Sequence, residues 1–477
     1  MKKKNIIFIK PPDRFLEDEF VYPQLGPQYL QSFLLEHDIG SDLLVLYEDK
    51  GIGLEQANHT DSRLALLNLK MLYISQDGNT IDQSFDLSLL RDFDIAAMSV
   101  MTPQAPDAYA INQLISAHYP HILTVIGGSH ARYYLKQVVA LPDDLAFDFV
   151  VPQDGWIPIL GLARGEVTKS SKSQILEDKL PRLTILPPPT RPEPLMERYK
   201  FEIAGAPAYH TISALGCPFT CHFCESGIEK VRMFSAEMID RDLEVISETH
   251  KQIGNSVYAV MFFDDVGLMS PKQVERLSSL VAKYGFATWR AFTHAYLVVR
   301  HQSALLEPFK NTGGKRIGIG IETGSQRSLN MINKRNGKKQ SVQEHFEAIA
   351  IANDLGIAVD AFTMIYPWED HQDLEDTTKL VEFVANNKVN GIDAKGRHLR
   401  NHVDSAIMSP YQGTKFYELM SLGEIPGVRI NPLTDPGTMY YKGMRGESGW
   451  PYEKTRLPRQ EYETVQTYRN SLRPSYR

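Results

Sequence analysis

All three cysteines of the 477-residue chain fall within eight positions, in Gly216-Cys217-Pro218-Phe219-Thr220-Cys221-His222-Phe223-Cys224. The spacing is C-x3-C-x2-C, and Tyr209 to Leu215 before it reads as a strand that delivers Cys217 into a loop. Three thiolates on one short loop can hold three irons of a [4Fe–4S] cube. The fourth iron is then open to another ligand, whereas clusters that only carry electrons usually have four cysteines. Three other readings compete. The cysteines could be buried apolar residues, although a cysteine-poor chain rarely places all of them together. Zinc could take His222 as a fourth ligand, but structural zinc sites usually pair two ligand loops and no second loop exists. A disulfide framework does not suit an odd cysteine count in a chain this long.

The rest of the composition is that of an ordinary globular protein, with 43% hydrophobic and 23% charged residues. The length suggests two to four domains. A net charge of −7 argues against nucleic acid as a partner, since such binders carry a basic excess. Met1-Lys2-Lys3-Lys4 starts like a signal peptide. The apolar run Asn5 to Ile9 is too short for one and ends at Lys10-Pro11-Pro12. No run approaches the 18 apolar residues of a membrane span. The expectation is a soluble, cytoplasmic protein.

In residues 1–160, strand-like runs alternate with helical ones. Asn5–Lys10, Asp42–Tyr47, Asp94–Val100, Ile122–Ile126 and Phe147–Val151 read as strands. Leu25, Tyr29, Leu30, Phe33 and Leu34 put an apolar stripe on a helix, and Pro106 opens another that runs to Pro120. Residues between Tyr47 and Asp94 look irregular and polar, apart from one apolar run at Leu64–Leu72. The alternation predicts a doubly wound, Rossmann-like parallel sheet. Ligands of such sheets bind beyond the strand carboxyl ends, here Pro11-Pro12, Thr102, Gly127-Gly128 and Gln153-Asp154. Residues 161–205 read as a linker, because Leu186 to Pro194 is too proline-rich for a helix or a central strand.

Residues 206–415 give six further strand candidates: Tyr209–Leu215, Val257–Phe263, Phe286–Phe292, Arg316–Ile321, Ala358–Ile365 and His402–Met408. Helices fit between them. Ser270-Pro271 reads as an N-cap with a first-turn proline, and Ser341 to Glu344 as a capping box. Residues 416–477 form an extension whose Tyr440, Tyr441, Trp450 and Tyr452 either cover the mouth of the preceding part or pack on its surface.

The cysteine loop and the strand-end motifs after it resemble radical S-adenosylmethionine (radical SAM) enzymes. That resemblance implies a partial (β/α)6 barrel, a [4Fe–4S] cluster on Cys217, Cys221 and Cys224, and SAM on the open iron. It places Phe223 against the adenine, Asp264 and Asp265 on the methionine ammonium, and Arg290 on the SAM carboxylate or a substrate anion. In Gly318-Ile319-Gly320-Ile321-Glu322-Thr323-Gly324-Ser325, Glu322 would meet the ribose hydroxyls, Gly324 would let the backbone approach, and Thr323 and Ser325 complete the motif. Met364 lies in the fifth-strand segment that reads adenine, where Tyr366 stands before Pro367 in place of the family's usual glycine. His294, Tyr366, Trp368 and Tyr411 are expected around the substrate. The plain alternatives are a helix-capping pair for Asp264 and Asp265, and surface or capping roles for Arg290 and His294.

The first 160 residues resemble the cobalamin-binding domain that precedes one large class of these enzymes. Pro11-Pro12, Tyr22-Pro23-Gln24-Leu25-Gly26 and Gly127-Gly128-Ser129-His130 carry the likeness, in that order. It implies that Tyr22, Gln24, Leu25, Gly26, Thr102, Gly127, Gly128, His130, Gln153 and Asp154 line a cobalamin site. There is no Asp-x-His-x-x-Gly to supply a cobalt ligand, and His130 reads as an ordinary loop histidine or as that ligand. The class implies a small-molecule substrate, an external electron donor such as flavodoxin or ferredoxin, and most often cobalamin-dependent C-methylation. Dehydration, rearrangement or ring contraction with an empty front domain is the alternative, and a non-catalytic iron–sulfur or zinc scaffold a further one.

Overall fold

The structure, a computed structural model, describes residues 4–474 except 15, 17, 49–67, 179–181, 227–228, 339 and 432–449. The chain divides into two compact units, one up to Arg198 and one from Tyr199 onward.

The first unit contains β1 (Ile6–Lys10), α1 (Leu25–Leu35), β2 (Ser41–Glu48), β3 (Leu69–Ile74), β4 (Thr80–Ser84), β5 (Ile95–Ser99), α2 (Ala105–His118), β6 (Leu123–Gly127), α3 (Gly128–Tyr133), α4 (Leu135–Val139), β7 (Phe149–Val150), α5 (Trp156–Ala163), β8 (Gln174–Ile175) and the one-turn α6 (Glu193–Met196). Its strands lie in the order β4-β3-β2-β1-β5-β6-β7-β8. β1 pairs in parallel with β2 on one side and β5 on the other, so the chain winds outward in both directions from the β1/β5 seam. Every residue of β1 is buried, as expected for a strand covered on both faces.

Three features differ from the sequence reading. β3 and β4 add an antiparallel edge where residues 49–84 looked irregular. β4 is Thr-Ile-Asp-Gln-Ser with every residue exposed, so it carries no apolar alternation to read. β8 lies in the stretch expected to be linker, yet pairs with β7. Pro194 enters a helix after all, at its first turn, where the missing N–H has no intrahelical acceptor to lose. Thr190 N–H donates to the Gln28 carbonyl, which packs this proline-rich stretch on α1.

The second unit contains β9 (Glu202–Ile203), β10 (Ala206–Thr211), β11 (Ala214–Leu215), β12 (Arg232–Met233), α7 (Ala236–Gln252), β13 (Ala259–Phe262), α8 (Pro271–Val281), β14 (Thr288–Thr293), α9 (Ala295–His301), α10 (Ser303–Asn311), β15 (Gly314–Glu322), α11 (Gln326–Met331), α12 (Gln343–Asp354), β16 (Ala358–Ile365), α13 (His371–Asn386), β17 (His402–Ile407), α14 (Lys415–Ser421), β18 (Arg429–Ile430), β19 (Tyr452–Lys454) and α15 (Arg459–Ser471). Six parallel strands run in the order β10-β13-β14-β15-β16-β17, an open half-barrel, with β9 antiparallel at the edge.

Trp289 of β14 stacks on Phe309 of α10, their centroids 4.4 Å apart, so its neighbours Arg290 and Phe292 face the side away from the helices. Ser270 caps α8 as expected. The capping box expected at α12 is absent: Val342 is the N-cap, and Glu344 pairs with Arg335 instead. In the tail, Tyr452 and Tyr462 are buried in a cluster with Tyr366, Trp368 and Phe416. Tyr452 is therefore core. Trp450 is half-buried against it, and Tyr440 and Tyr441 lie outside the described residues.

Candidate active site

The loop with the three cysteines is bracketed rather than simply launched by a strand. β10 ends at Thr211, four residues earlier than expected, and β11 and β12 then pair as a short antiparallel bracket around residues 216–231. Asp264 causes the break. It is buried and accepts hydrogen bonds from Ser213 N–H (2.6 Å), Ser213 Oγ–H (2.5 Å) and Ala214 N–H (3.1 Å). Burial pushes its carboxyl up to about 6 against those donors. Asp264, expected on the SAM ammonium, is thus engaged in shaping the loop. Asp265 is exposed and accepts from Ser226 Oγ at 2.7 Å.

A second segment, Met331 to Asn336, clasps the loop from below. His222 N–H donates to the Ile332 carbonyl and His222 Nδ1 to the Met331 carbonyl, both at 3.0 Å. Asn336 Oδ1 accepts from Thr220 N–H, and its amide donates to the Pro218 carbonyl at 2.8 Å. Asn333 donates to the Thr220 carbonyl. Asn333 and Asn336 both sit in the left-handed region, at φ 52 and 53, which asparagine tolerates best among residues with a Cβ.

Between them, Lys334 is buried and its Nζ lies 2.7 Å from Glu322 Oε1, itself buried. Glu322 has φ 56, and the register of β15 on β16 shifts there. A side chain at Gly320 would collide with the Glu322 carboxylate, so glycine leaves the pair its space. Removing one partner of such a pair typically costs about 3–5 kcal/mol, because the other charge stays buried alone. Burial alone would lower the Lys334 pKa; Glu322, then Cys221, outweigh it and raise it. Burial pushes the Cys217 thiol to about 11 and the Cys221 thiol to about 12, and Lys334 opposes both shifts. Among the described residues no three Cys, His, Asp or Glu side chains gather around a point where one metal ion could sit.

Other expected residues are placed differently. Thr323 Oγ is tied to Glu369 and Thr377, Gly324 N–H donates to Thr377 Oγ, and Ser325 caps α11 and donates to Asp373. A Cβ at Gly324 would meet the α13 backbone at Thr377 Cα, 2.7 Å away; its close approach is to that helix. Arg290 lies in mid-strand, paired to Asp360 at 2.7 Å beside a second pair, Arg316–Asp360. Its guanidinium sits 5.1 Å from the Phe292 ring centroid, so that ring stands between it and the strand ends. His294 is buried, accepts Tyr296 N–H at Nδ1 and donates from Nε2 to the Lys334 carbonyl. Tyr366 and Trp368, expected around substrate, are stacked at 4.8 Å in the apolar core. Tyr411 forms the turn into α14. Phe223 and Met364 are half-buried against that core.

The concave face instead presents a tier of rings. Phe263, Phe292 and Phe362 follow one another at 5.9 Å intervals, and Phe263 is 45% exposed. Gly318 makes this tier possible, because a Cβ there would collide with Phe292. Lys334, Asn333, Asn336 and the ring tier were missed in the sequence. The only available signal was the Asn-Lys-Arg-Asn-Gly run after α11.

In the first unit, a cavity of about 200 Å³ opens on one face of the sheet. Phe8, Ala97, Ser99, Val125, Gly127 and Gly128 line it from the sheet, Gly26 and Leu30 from α1, and Gln153 to Trp156 and Ile159 from the β7–α5 turn and helix. Five of the expected residues line it: Gly26, Gly127, Gly128, Gln153 and Asp154. Tyr22, Gln24, Leu25, Thr102 and His130 do not. His130 is buried, with Nε2 2.6 Å from Tyr109 Oη and Nδ1 3.3 Å from Thr102 Oγ, so both ring nitrogens are engaged within the α2 and α3 side. Burial lowers its pKa to about 4.

Residues 211–381 match the radical SAM superfamily. That stretch is a radical SAM domain. It is 24% identical over 352 residues to an uncharacterized methyltransferase, PH0819, of Pyrococcus horikoshii, covering 69% of each chain. It is also 24% identical over 312 residues to the anaerobic magnesium-protoporphyrin IX monomethyl ester cyclase of Rubrivivax gelatinosus, covering 60% of this chain but only 54% of the cyclase. Among solved structures, the cobalamin-dependent radical SAM enzyme OxsB, with aqua-cobalamin and SAM bound, superposes with a TM-score of 0.70 at 14% identity, covering 98% of this chain and 66% of OxsB. The radical SAM methyltransferase TsrM from Kitasatospora setae gives 0.63 at 10% identity, covering 99% and 92%. These two likenesses establish the fold: a cobalamin-binding type front unit and a radical SAM half-barrel. No helix among the described residues is long and apolar enough to cross a membrane.

Proposed function

We propose that this radical SAM enzyme methylates a carbon of a small metabolite with help from a cobalamin held by the first unit. The observation that carries the reading is the glycine-walled cavity at the carboxyl ends of β5 and β6, beside the β1/β5 seam where doubly wound sheets bind ligands. Its walls are apolar or small, with Ser99, Gln153 and Asp154 as polar lining residues. That suits the insertion of a flat, largely neutral part of a corrinoid. The donor set of the loop fits a [4Fe–4S] group: three thiols, with His222 tied to a carbonyl, which weakens the zinc reading.

Cys217, Cys221 and Cys224 would hold the cluster. Phe223, Asp265, Glu322 and Met364 would meet SAM, with the second oxygen of Glu322 left for the ribose. When bound, the cluster supplies the electron that splits SAM into methionine and a 5′-deoxyadenosyl radical, and cobalamin carries the methyl group. The substrate hydrogen leaves in 5′-deoxyadenosine. A second SAM would supply the methyl group and leave as S-adenosylhomocysteine, and the external low-potential donor would supply one electron for each of the two SAM molecules consumed. Phe263, Phe292 and Phe362 give the concave face a flat apolar surface, so the substrate presents an apolar, ring-like part.

The test is anaerobic reconstitution with iron, sulfide and hydroxocobalamin, followed by SAM and a low-potential reductant such as reduced flavodoxin. Expected are four irons per chain, a corrinoid spectrum that persists through gel filtration, and both 5′-deoxyadenosine and S-adenosylhomocysteine. A protein that forms 5′-deoxyadenosine but retains no corrinoid would move the reaction to dehydration or rearrangement. One that forms neither product with a full cluster would sink the proposal.

A further inference from the structure

We propose that Lys334 is a positioning residue that carries the compensating charge for the cysteine loop: held by Glu322, its ammonium offsets the negative charge of the thiolate-bound cluster and raises its reduction potential. This rests on reading the loop as the holder of a [4Fe–4S] group.

Three observations carry it. First, Lys334 is placed by the loop it serves. Asn333 and Asn336 on either side of it grip Thr220 and Pro218, and its own carbonyl accepts from His294. His294 in turn stacks on Phe219 at 4.3 Å, so the lysine backbone and the loop are parts of one rigid assembly. Second, the ammonium is buried with one partner. Glu322 accepts one of its three N–H bonds at 2.7 Å, and the described residues provide no other acceptor. A buried cation with two unused donors is a costly arrangement unless anionic neighbours make use of it. Third, the local backbone is bent to make the pair. Glu322 adopts a left-handed conformation in a strand bulge, and Gly320 gives up its side chain to leave room. Strain of this kind persists where the surroundings enforce it, most often at functional sites.

The consequence is a prediction of sign. Cluster potentials follow local charge, so deleting a nearby positive charge makes the added electron less welcome, and deleting a negative one does the reverse. The experiment is a redox titration of the reconstituted full chain without SAM, followed by the EPR signal of the reduced cluster, with iron content measured alongside. Lys334→Met is expected to shift the midpoint to a more negative value and Glu322→Gln to a more positive one. Lys334→Arg should stay near the unsubstituted protein. A circular-dichroism melt identifies a Lys334→Met protein that has failed to fold; the opposite shifts of Glu322→Gln and Lys334→Arg then decide, with Glu322→Gln positive and Lys334→Arg unmoved in support. Shifts of the same sign, or none, overturn the proposal. If the unsubstituted protein takes up no four-iron cluster, it is the functional reading that fails instead.

Discussion

Both units end their parallel strands in a ligand-ready region, but they do so with opposite materials. In the first, the ends of β5 and β6 are made of small residues, and the result is space: about 200 Å³ walled by glycine, alanine and aliphatic side chains. In the second, the strand ends gather buried polar groups that are paired with one another: Asp264 with Ser213, Thr323 with Thr377, Glu322 with Lys334. On the proposed function, the difference follows from what each would hold. A large flat cofactor gains most from volume and apolar contact. A small charged cofactor at a reactive cluster gains most from dipoles and charges fixed in advance. The comparison therefore predicts that changes in one unit should not register in the readout of the other.

The largest expected effect is in the second unit. Cys217→Ala removes one of the three proposed iron ligands, and iron content and 5′-deoxyadenosine formation should both fall to background. Corrinoid retention, measured on the same preparation, should be unchanged. Loss of both together would show that the two regions are not separable.

The mirror experiment fills the space. Gly26 opens α1 at the cavity wall, where a Cβ would meet only Ser99 Oγ at 3.6 Å. Gly26→Phe places a ring in the cavity at little cost to the empty protein. Corrinoid affinity should fall at least about 100-fold, since forcing a ring into a filled site costs about 3 kcal/mol. Equilibrium dialysis reads the affinity. Slow SAM cleavage without substrate should continue, and unchanged corrinoid binding would remove the cavity from the argument.

Glu369 tests the buried polar network of the second unit by pH. It accepts from Thr323 Oγ and from Tyr366 N–H, and burial raises its carboxyl to about 7 despite those donors. The folded protein therefore holds a proton that the unfolded chain releases near pH 4.3. Stability falls as pH rises from about 4 to 7 and is level above, by about 3–4 kcal/mol at most. Glu369→Gln should remove that slope. Urea unfolding at pH 4.5 and pH 8 should show the variant gaining on the parent only at pH 8; an equal difference at both would show that Glu369 does not titrate there.

The legibility of the sequence divides along the same line. The first unit's cavity was partly readable because glycines at strand ends are local signals: Gly26, Gly127 and Gly128, expected at a ligand site, line it. So were the strands with continuous apolar runs, Ala358–Ile365 to the residue. β4 was not, because an exposed edge strand needs no apolar residue. In the second unit, residue types were readable but partners were not. Asp264 was found as an acid at a strand end, yet what it holds is Ser213, 51 positions earlier. Lys334 lies 110 positions after Cys224 in a segment without periodicity. Arg290 looked available because Asp360, which claims it, lies two strands away. Sites built from space are written locally; sites built from paired charge are written in the contacts between distant segments.

The smallest effect makes the sharpest version of that point. Gly128 has φ +88, and a Cβ there would lie 2.6 Å from Val100 N and 2.7 Å from Val100 O. Both atoms are backbone on the neighbouring strand end and cannot rotate away. Gly128→Ala therefore adds left-handed strain to a backbone clash, which together cost about 1–3 kcal/mol. The clash pushes the β6–α3 turn away from β5, which widens the cavity mouth instead of filling it. Corrinoid should dissociate several-fold faster, a smaller loss than that expected of the filled variant at Gly26. Stopped-flow release of hydroxocobalamin and thermal unfolding of the first unit measure the two halves of this prediction. If Gly128→Ala unfolds earlier but releases corrinoid at the parent rate, the glycine is needed only to close the turn, and the cavity owes its shape to α1 and α5 instead.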